Sequence, residues 1–277
     1  MSAAERVLLW VYTNPARRVR DSAFYKWHEA ERMPALLDIP ASLFLACSRW
    51  VAADGKAPTY LSLYDLALRS AVHDPAYVAL NEKHALETRR AEFVESRVYE
   101  PVDAPCPSPT WTADHITSSE GAAGRYITVV EADFMIFAEG EFCRWYDEEH
   151  IPLLSRVPGW VRSRRFVLKE VLGVEATESD QEAIAGETDT ETESETDSDN
   201  GSGSSGELER RPVWERGVRA HPDRRECPPK FLAIHEWASL DAFETKQYRR
   251  ATTTPWRTEV LKEGRVLRYE IRVFRAS

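Results

Sequence analysis

Several things are scarce in this sequence. Its four cysteines, Cys47, Cys106, Cys143 and Cys227, are scattered, with no C-x-x-C spacing and no histidine cluster beside them. That argues against a zinc site or a disulfide framework and leaves four reduced thiols as the expectation. Cys143 is expected to pack or face solvent rather than attack a substrate. No apolar run reaches the roughly 18 residues of a membrane-spanning helix. Residues 1–15 hold a short apolar stretch without a signal-peptide cleavage pattern. The expectation is a soluble, cytoplasmic protein with no membrane role. Lysine and arginine are absent from residues 175–199, which carry eleven acidic side chains and so account for the net charge of −10. The rest is close to neutral, which offers no electrostatic footprint for nucleic acid.

What is present begins with 43% apolar and 10% aromatic residues, enough to build a core over much of 277 residues. One pattern is written twice. Phe24, Trp27, His28, Glu29, Glu31, Arg32, Pro34, Leu36 and Pro40 recur 118 residues later as Phe142, Trp145, Tyr146, Asp147, Glu149, His150, Pro152, Leu154 and Pro158. Seven pairs match or are conservative. The two that diverge, His28/Tyr146 and Arg32/His150, are polar and are where chemistry is sought.

Around each copy the same order of elements is read. In the first half, residues 6–12 form an apolar strand closed by Asn14-Pro15, and Ser22 caps a helix over 23–37 that Pro34 terminates or tightens. Strands follow at 43–53 and 59–66 across the Asp54-Gly55 turn. Helical sequence over 70–95 is broken near Pro75, and a strand at 97–102 closes the half. In the second half the strands fall at 125–132, 160–171, 230–237 and 265–274. Its helices fall at 139–154 and 238–263, the latter broken near Pro255. Each half is β-α-β-β-α-β, the ferredoxin-like arrangement, so the chain reads as α+β with two such repeats packed sheet to sheet. The domains are residues 1–102, a connector at 103–124 with Trp111 as a packing residue, and 125–277. A disordered acidic insertion at about 175–227 interrupts the second repeat, since it lacks apolar residues to offset its ordering entropy. Its GSGSSG string lacks the strand and helix that a dinucleotide site needs. With the second sheet supplied in cis, a monomer is expected, and the insertion is a possible protein-binding segment.

The motif F-x-x-W-Y-D-E-E-H-I-P-L-L at 142–154, followed by P-G-W at 158–160 and supported by FYKWHEAERMPALL at 24–37, resembles the EthD-like proteins of the dimeric α+β barrel superfamily. The resemblance covers residues 5–102 and 125–277 less the insertion. It implies a barrel formed within one chain, and a pocket between sheet and helices where histidine and tyrosine do acid–base work without a cofactor. The superfamily spans lyases, cyclases, dehydratases, isomerases and cofactor-free oxygenases, with haem enzymes more distant, so the fold does not choose a reaction.

His150, four residues after Tyr146 on one helix face, is the leading catalytic candidate, because an imidazole suits proton transfer beside a carbonyl. Its structural alternative is a backbone hydrogen bond at the helix end. His235 joins Tyr146 and His150 if its strand face looks at the helices, and is a packed histidine if it looks into the barrel. For substrate binding the candidates are Arg32, which stays protonated and could hold a carboxylate or enolate, with His28, Tyr64, Trp145 and Glu149. Glu149 and Glu31 otherwise read as a solvated or salt-bridged face. Tyr12 and Trp256 are weaker candidates, and His73, His84, His115 and His221 read as exposed. The second half is favoured as the active one. The chemistry read is dehydration, cyclisation, isomerisation or decarboxylation of a hydrophobic oxygenated, polyketide-like molecule. The alternatives are oxygenation by the same residues, a non-catalytic binding protein, and haem binding through an axial histidine.

Overall fold

Period-two alternation builds the sheet, and the same alternation decides what each strand offers to the helices. The computed structural model describes residues 6–15, 24, 26–84, 91–102, 124–176 and 227–277. The first half contributes β1 (Val7–Pro15), β2 (Phe44–Ala52), β3 (Tyr60–Leu66) and β4 (Ala91–Pro101). The second contributes β5 (Tyr126–Phe134), β6 (Trp160–Ala176), β7 (Phe231–Trp237) and β8 (Val266–Ala276). The strands close into one antiparallel barrel in the order β1-β3-β2-β8-β5-β7-β6-β4. Each half is a four-stranded sheet, and the two join at the β2–β8 and β4–β6 seams. The seams are unequal: β2 and β8 share only the register from Trp50–Ala276 to Ala52–Phe274, whereas β4 and β6 pair from Phe93–Ala176 to Pro101–Phe166. The cause is the length of β6, 17 residues against nine in β2.

The α+β barrel of paired ferredoxin-like halves is therefore the observed fold, and several boundaries differ from expectation. β1 runs through Pro15, so Asn14-Pro15 is not its stop. The helical reading of 70–95 overran. After a 3-10 turn at Arg69–His73, helix α2 (Pro75–Lys83) ends well before Ala91, where β4 already begins. Ser22, the connector at 103–123 with Trp111, Cys106 and His115, and residues 177–226 with His221 lie outside the described residues.

Inside the barrel sit Leu8, Trp10, Leu61, Ile127, Leu232 and Ile234 with further large side chains. The helices cover the outer faces: α1 (Met33–Leu37) and α2 over the first half, and α3 (Ile136–Trp145), α4 (Ile151–Leu154), α5 (Lys246–Thr252) and α6 (Pro255–Val260) over the second. Strand β7 shows the division. Leu232 and Ile234 point inward, while Phe231 and Ala233 pack with the helix-side residues Phe142, Trp145 and Tyr146.

Candidate functional site

The two diverging pairs of the repeated pattern sit on one local device. A π-helical turn occupies His28–Arg32, where the Met33 N–H bonds to the His28 carbonyl, and another occupies Tyr146–His150, where the Ile151 N–H bonds to the Tyr146 carbonyl. Proline explains the place. In a regular α-helix the ring of Pro34 would press on the Ala30 carbonyl and that of Pro152 on Glu148. One extra residue per turn relieves both contacts, so each proline opens a further short helix instead of ending one. Such turns recur at functional sites because they turn side chains out of helical register.

In the first half the turn faces open space. A cavity of about 470 Å³ lies between helices and sheet, with Trp27, His28, Arg32, Tyr64, Tyr77 and Asn81 in its wall. The rest of the lining is largely apolar, including Leu9, Val11, Leu36 and Val72. His28 is buried, and its Nε2 lies 3.0 Å from the Tyr64 hydroxyl and 3.3 Å from the Ser62 hydroxyl. Burial lowers its pKa to about 3, with the Arg49 and then the Arg32 guanidinium adding to the effect. The ring is therefore neutral near pH 7. Its Nδ1 has no partner. Burial pushes the Tyr64 hydroxyl well above the usual phenol range, so it stays protonated. Arg32 donates to Asn81 Oδ1 at 2.5 Å and lies 3.4 Å from His84 Nδ1. Among the described residues no salt bridge joins it to a carboxylate. At the margin His73 pairs with Glu170 at 3.0 Å.

The second half assembles the three residues expected to act together, in a closed cluster. His235 does face the helices: its ring centroid is 5.9 Å from those of Tyr146 and His150, and Tyr146 and His150 are 5.0 Å apart. All three are buried. Trp145 stacks on His150 at 4.4 Å. None of these rings is in the wall of the His28 cavity or of the cleft beside Glu149, and the void beside Phe142, Arg165 and Ala233 has about 10 Å³, room for one water at most. A cavity that meets a histidine of the repeated pattern lies in the first half, against His28; in the second half a cleft of about 430 Å³ opens instead beside Glu149, Pro152, Arg250 and Thr254. The physical reason for the difference is filling. Phe134, Phe142, Trp145, Tyr146 and Phe231 occupy the layer between sheet and helices. His150 Nδ1 lies 3.2 Å from the Ala251 carbonyl, which can only accept, so that nitrogen carries the proton. Burial, then His235, holds the His150 pKa well below the usual range. His235, buried and near Arg165, is lowered to about 3.

Some residues escaped sequence reasoning. Arg49 pairs in register with Ser62, and Arg165 with Ala233, two residues before Tyr64 and His235 respectively. A buried arginine thus stands at corresponding places in each half; Arg165 is bound to Asp147 at 2.7 Å. Only strand pairing could have revealed this. Glu149 is half-buried at the edge of the second-half cleft, and it accepts from Trp145 and Thr254. His84 is buried, not exposed, because Trp27 and Arg32 pack against it. Tyr12 lies inside the barrel, away from either layer, and Trp256, on α6, packs against the helix-side cluster under Arg144. Cys143 is half-buried, as expected of a packing residue. Haem ligation through the usual imidazole Nε2 would have to break His28 from Tyr64 and Ser62, or His73 from Glu170, so the cavity histidines do not fit an axial ligand.

No protein-family profile and no curated protein sequence matches the chain. Solved structures do. An anthrone oxidase-like protein superposes with a TM-score of 0.50 at 10% identity, covering 100% of this chain and 92% of its own. A candidate monooxygenase from Fusobacterium nucleatum subsp. nucleatum gives 0.50 at 7% identity, covering 100% and 94%. At these identities the likeness is one of fold, that of the dimeric α+β barrel proteins.

Proposed function

From that fold and the cavity in its first half, we propose that the protein is a small-molecule enzyme acting on a mostly apolar, oxygenated ring compound bound against His28, Tyr64 and Arg32. The observation that carries this is a neutral imidazole in the wall of a largely apolar cavity, one nitrogen on two hydroxyls and the other without a partner, with a guanidinium in the same wall.

The first step is removal of a proton from a phenol or an enolisable ketone. His28 takes it, and Arg32 holds the anion that is left. A histidine with its pKa held low is a poor base toward a substrate that stays neutral. It becomes a competent one when the anion formed beside it offsets the burial that disfavours the imidazolium. Tyr64, firmly protonated, orients the ring and can hydrogen-bond the developing oxyanion. The anion then has two fates. It can expel water or another leaving group, the lyase-type outcome expected from the sequence. It can also reduce O2; for anthrone this consumes one O2 and yields anthraquinone and one water. The names of the two structural neighbours favour the second fate. We also read the two halves as copies of one EthD-like unit, supported by π turns 118 residues apart.

The test is anthrone in aerated buffer, following O2 uptake and anthraquinone. Turnover that His28→Phe abolishes and Tyr64→Phe slows by roughly 100-fold supports oxidation. Loss of water from a β-hydroxy ketone, without O2 uptake, would move the reading to the lyase. Binding with no turnover of either compound overturns the enzyme reading.

A further inference from the structure

Both halves carry the same tryptophan and the same glutamate on the pattern helix and use them differently. In the first half the Trp27 N–H is buried without a partner, Glu31 is exposed, and the cavity lies beside the indole. In the second half the Trp145 N–H donates to Glu149 Oε1 at 3.0 Å, and the same oxygen accepts the Thr254 hydroxyl at 2.5 Å. Thr254 caps α6. One carboxylate therefore ties the pattern helix to the turn between α5 and α6, with a fully buried indole held as a plug.

Within this closed cluster two buried polar atoms have nothing to bond: Tyr146 Oη and His235 Nε2. The hydrogen bonds around Ser163 decide what kind of groups they are. Its oxygen accepts from Trp160 Nε1 at 3.0 Å and lies 2.7 Å from His235 Nδ1. With the Ser163 oxygen already accepting from Trp160, we take its hydroxyl proton to point at His235 Nδ1, which then accepts. In a neutral imidazole the proton is then on Nε2. Both orphans are therefore donors, and buried donors without acceptors are costly enough to be rare. What they lack is an acceptor oxygen. A neutral one suits the place, since Arg165, the cation over the Tyr146 ring, is already paired with Asp147.

We propose that the second half holds a latched binding site for a small ring ketone, whose carbonyl oxygen takes hydrogen bonds from Tyr146 and His235. Glu149, Trp145 and Thr254 form the latch that opens to admit it. The site is distinct from the His28 cavity and does not depend on the reaction assigned there.

The test titrates the full chain, labelled with 5-fluorotryptophan, with 1-indanone and with indane, which lacks the oxygen. The signal is the Trp145 fluorine resonance, assigned with Trp145→Phe, so binding in the first half does not register. Glu149→Ala removes the latch and leaves both donors. Its Trp145 resonance is expected to shift saturably with 1-indanone, with a Kd about tenfold below that of the parent chain. Adding Tyr146→Phe and His235→Phe removes the preference for the ketone over indane. Thr254→Val, which cuts one arm only, gives a smaller gain and carries the test if Glu149→Ala does not fold. The proposal is overturned if folded latch variants show no response at Trp145, respond equally to indane, or bind 1-indanone no better than the parent.

Discussion

The Tyr12 hydroxyl donates to Glu131 Oε2 at 3.1 Å, and the two residues hold corresponding places in the two halves, opposite Leu61 on β3 and Leu232 on β7. The bond crosses the barrel interior and joins one half to the other. The same carboxylate accepts from Arg97, whose guanidinium is also gripped by Glu95 at 2.7 and 2.9 Å. Arg272, the counterpart of Arg97 on β8, serves a different end. It binds Asp54 at 2.7 Å and the carbonyls of Lys56, Ala57 and Pro58, clasping the β2–β3 hairpin.

Arg97→Met should therefore be severe. It leaves Glu131 and Glu95 in the barrel without their cation, and removing one partner of a buried pair costs about 3–5 kcal/mol. Urea unfolding would measure this. A loss under about 1 kcal/mol would mean that water reaches these carboxylates.

Acid should destabilise the fold through its buried histidines. His28 and His235 have folded-state pKa values of about 3, and His150 is also lowered. All three are neutral when folded, whereas the unfolded chain protonates them below about pH 6.5. Their contribution is complete above that pH and is lost as the pH falls toward 3. With three sites the slope approaches about 4 kcal/mol per pH unit. Urea midpoints measured from pH 7.5 to 4.5 give the slope, and His235→Gln should reduce it by roughly a third.

Arg32→Met should weaken binding of an anionic probe such as 1-naphthoate by roughly 10- to 100-fold, as expected for a lost hydrogen bond to a charge. Neutral naphthalene should be little affected. Arg32→Lys keeps the charge but not the fork, and should fall between. Equal losses for both probes would show that Arg32 shapes the cavity rather than pairing with an anion.

Among the described strands the barrel closes within one chain, with the short β2–β8 seam as its weakest join. Light scattering should give the mass of a single chain at micromolar concentration. A stable dimer would point instead to an apolar surface such as Met135–Phe137, where Ile136 and Phe137 are exposed.

By itself the sequence determined the features that depend on near neighbours in the chain. Alternation placed the strands, and the repeated Trp, acid and proline placed the pattern helices. The spacing of His28 from Arg32 and of Tyr146 from His150 marked the turn where polar groups face the sheet. The 70–95 overrun shows the limit, since local propensity did not reveal that residues from Ala91 pair with β1 and β6. Tertiary structure decided the rest. It turned His235 toward the helices, brought Ser62 and Ser163 to their histidines, and set Arg49 and Arg165 in corresponding places. It also left space beside Trp27 while filling the layer around Trp145. Each of these outcomes depends on which strands lie side by side and how large side chains share one layer. Those are contacts between residues far apart in the chain, so no local pattern encodes them.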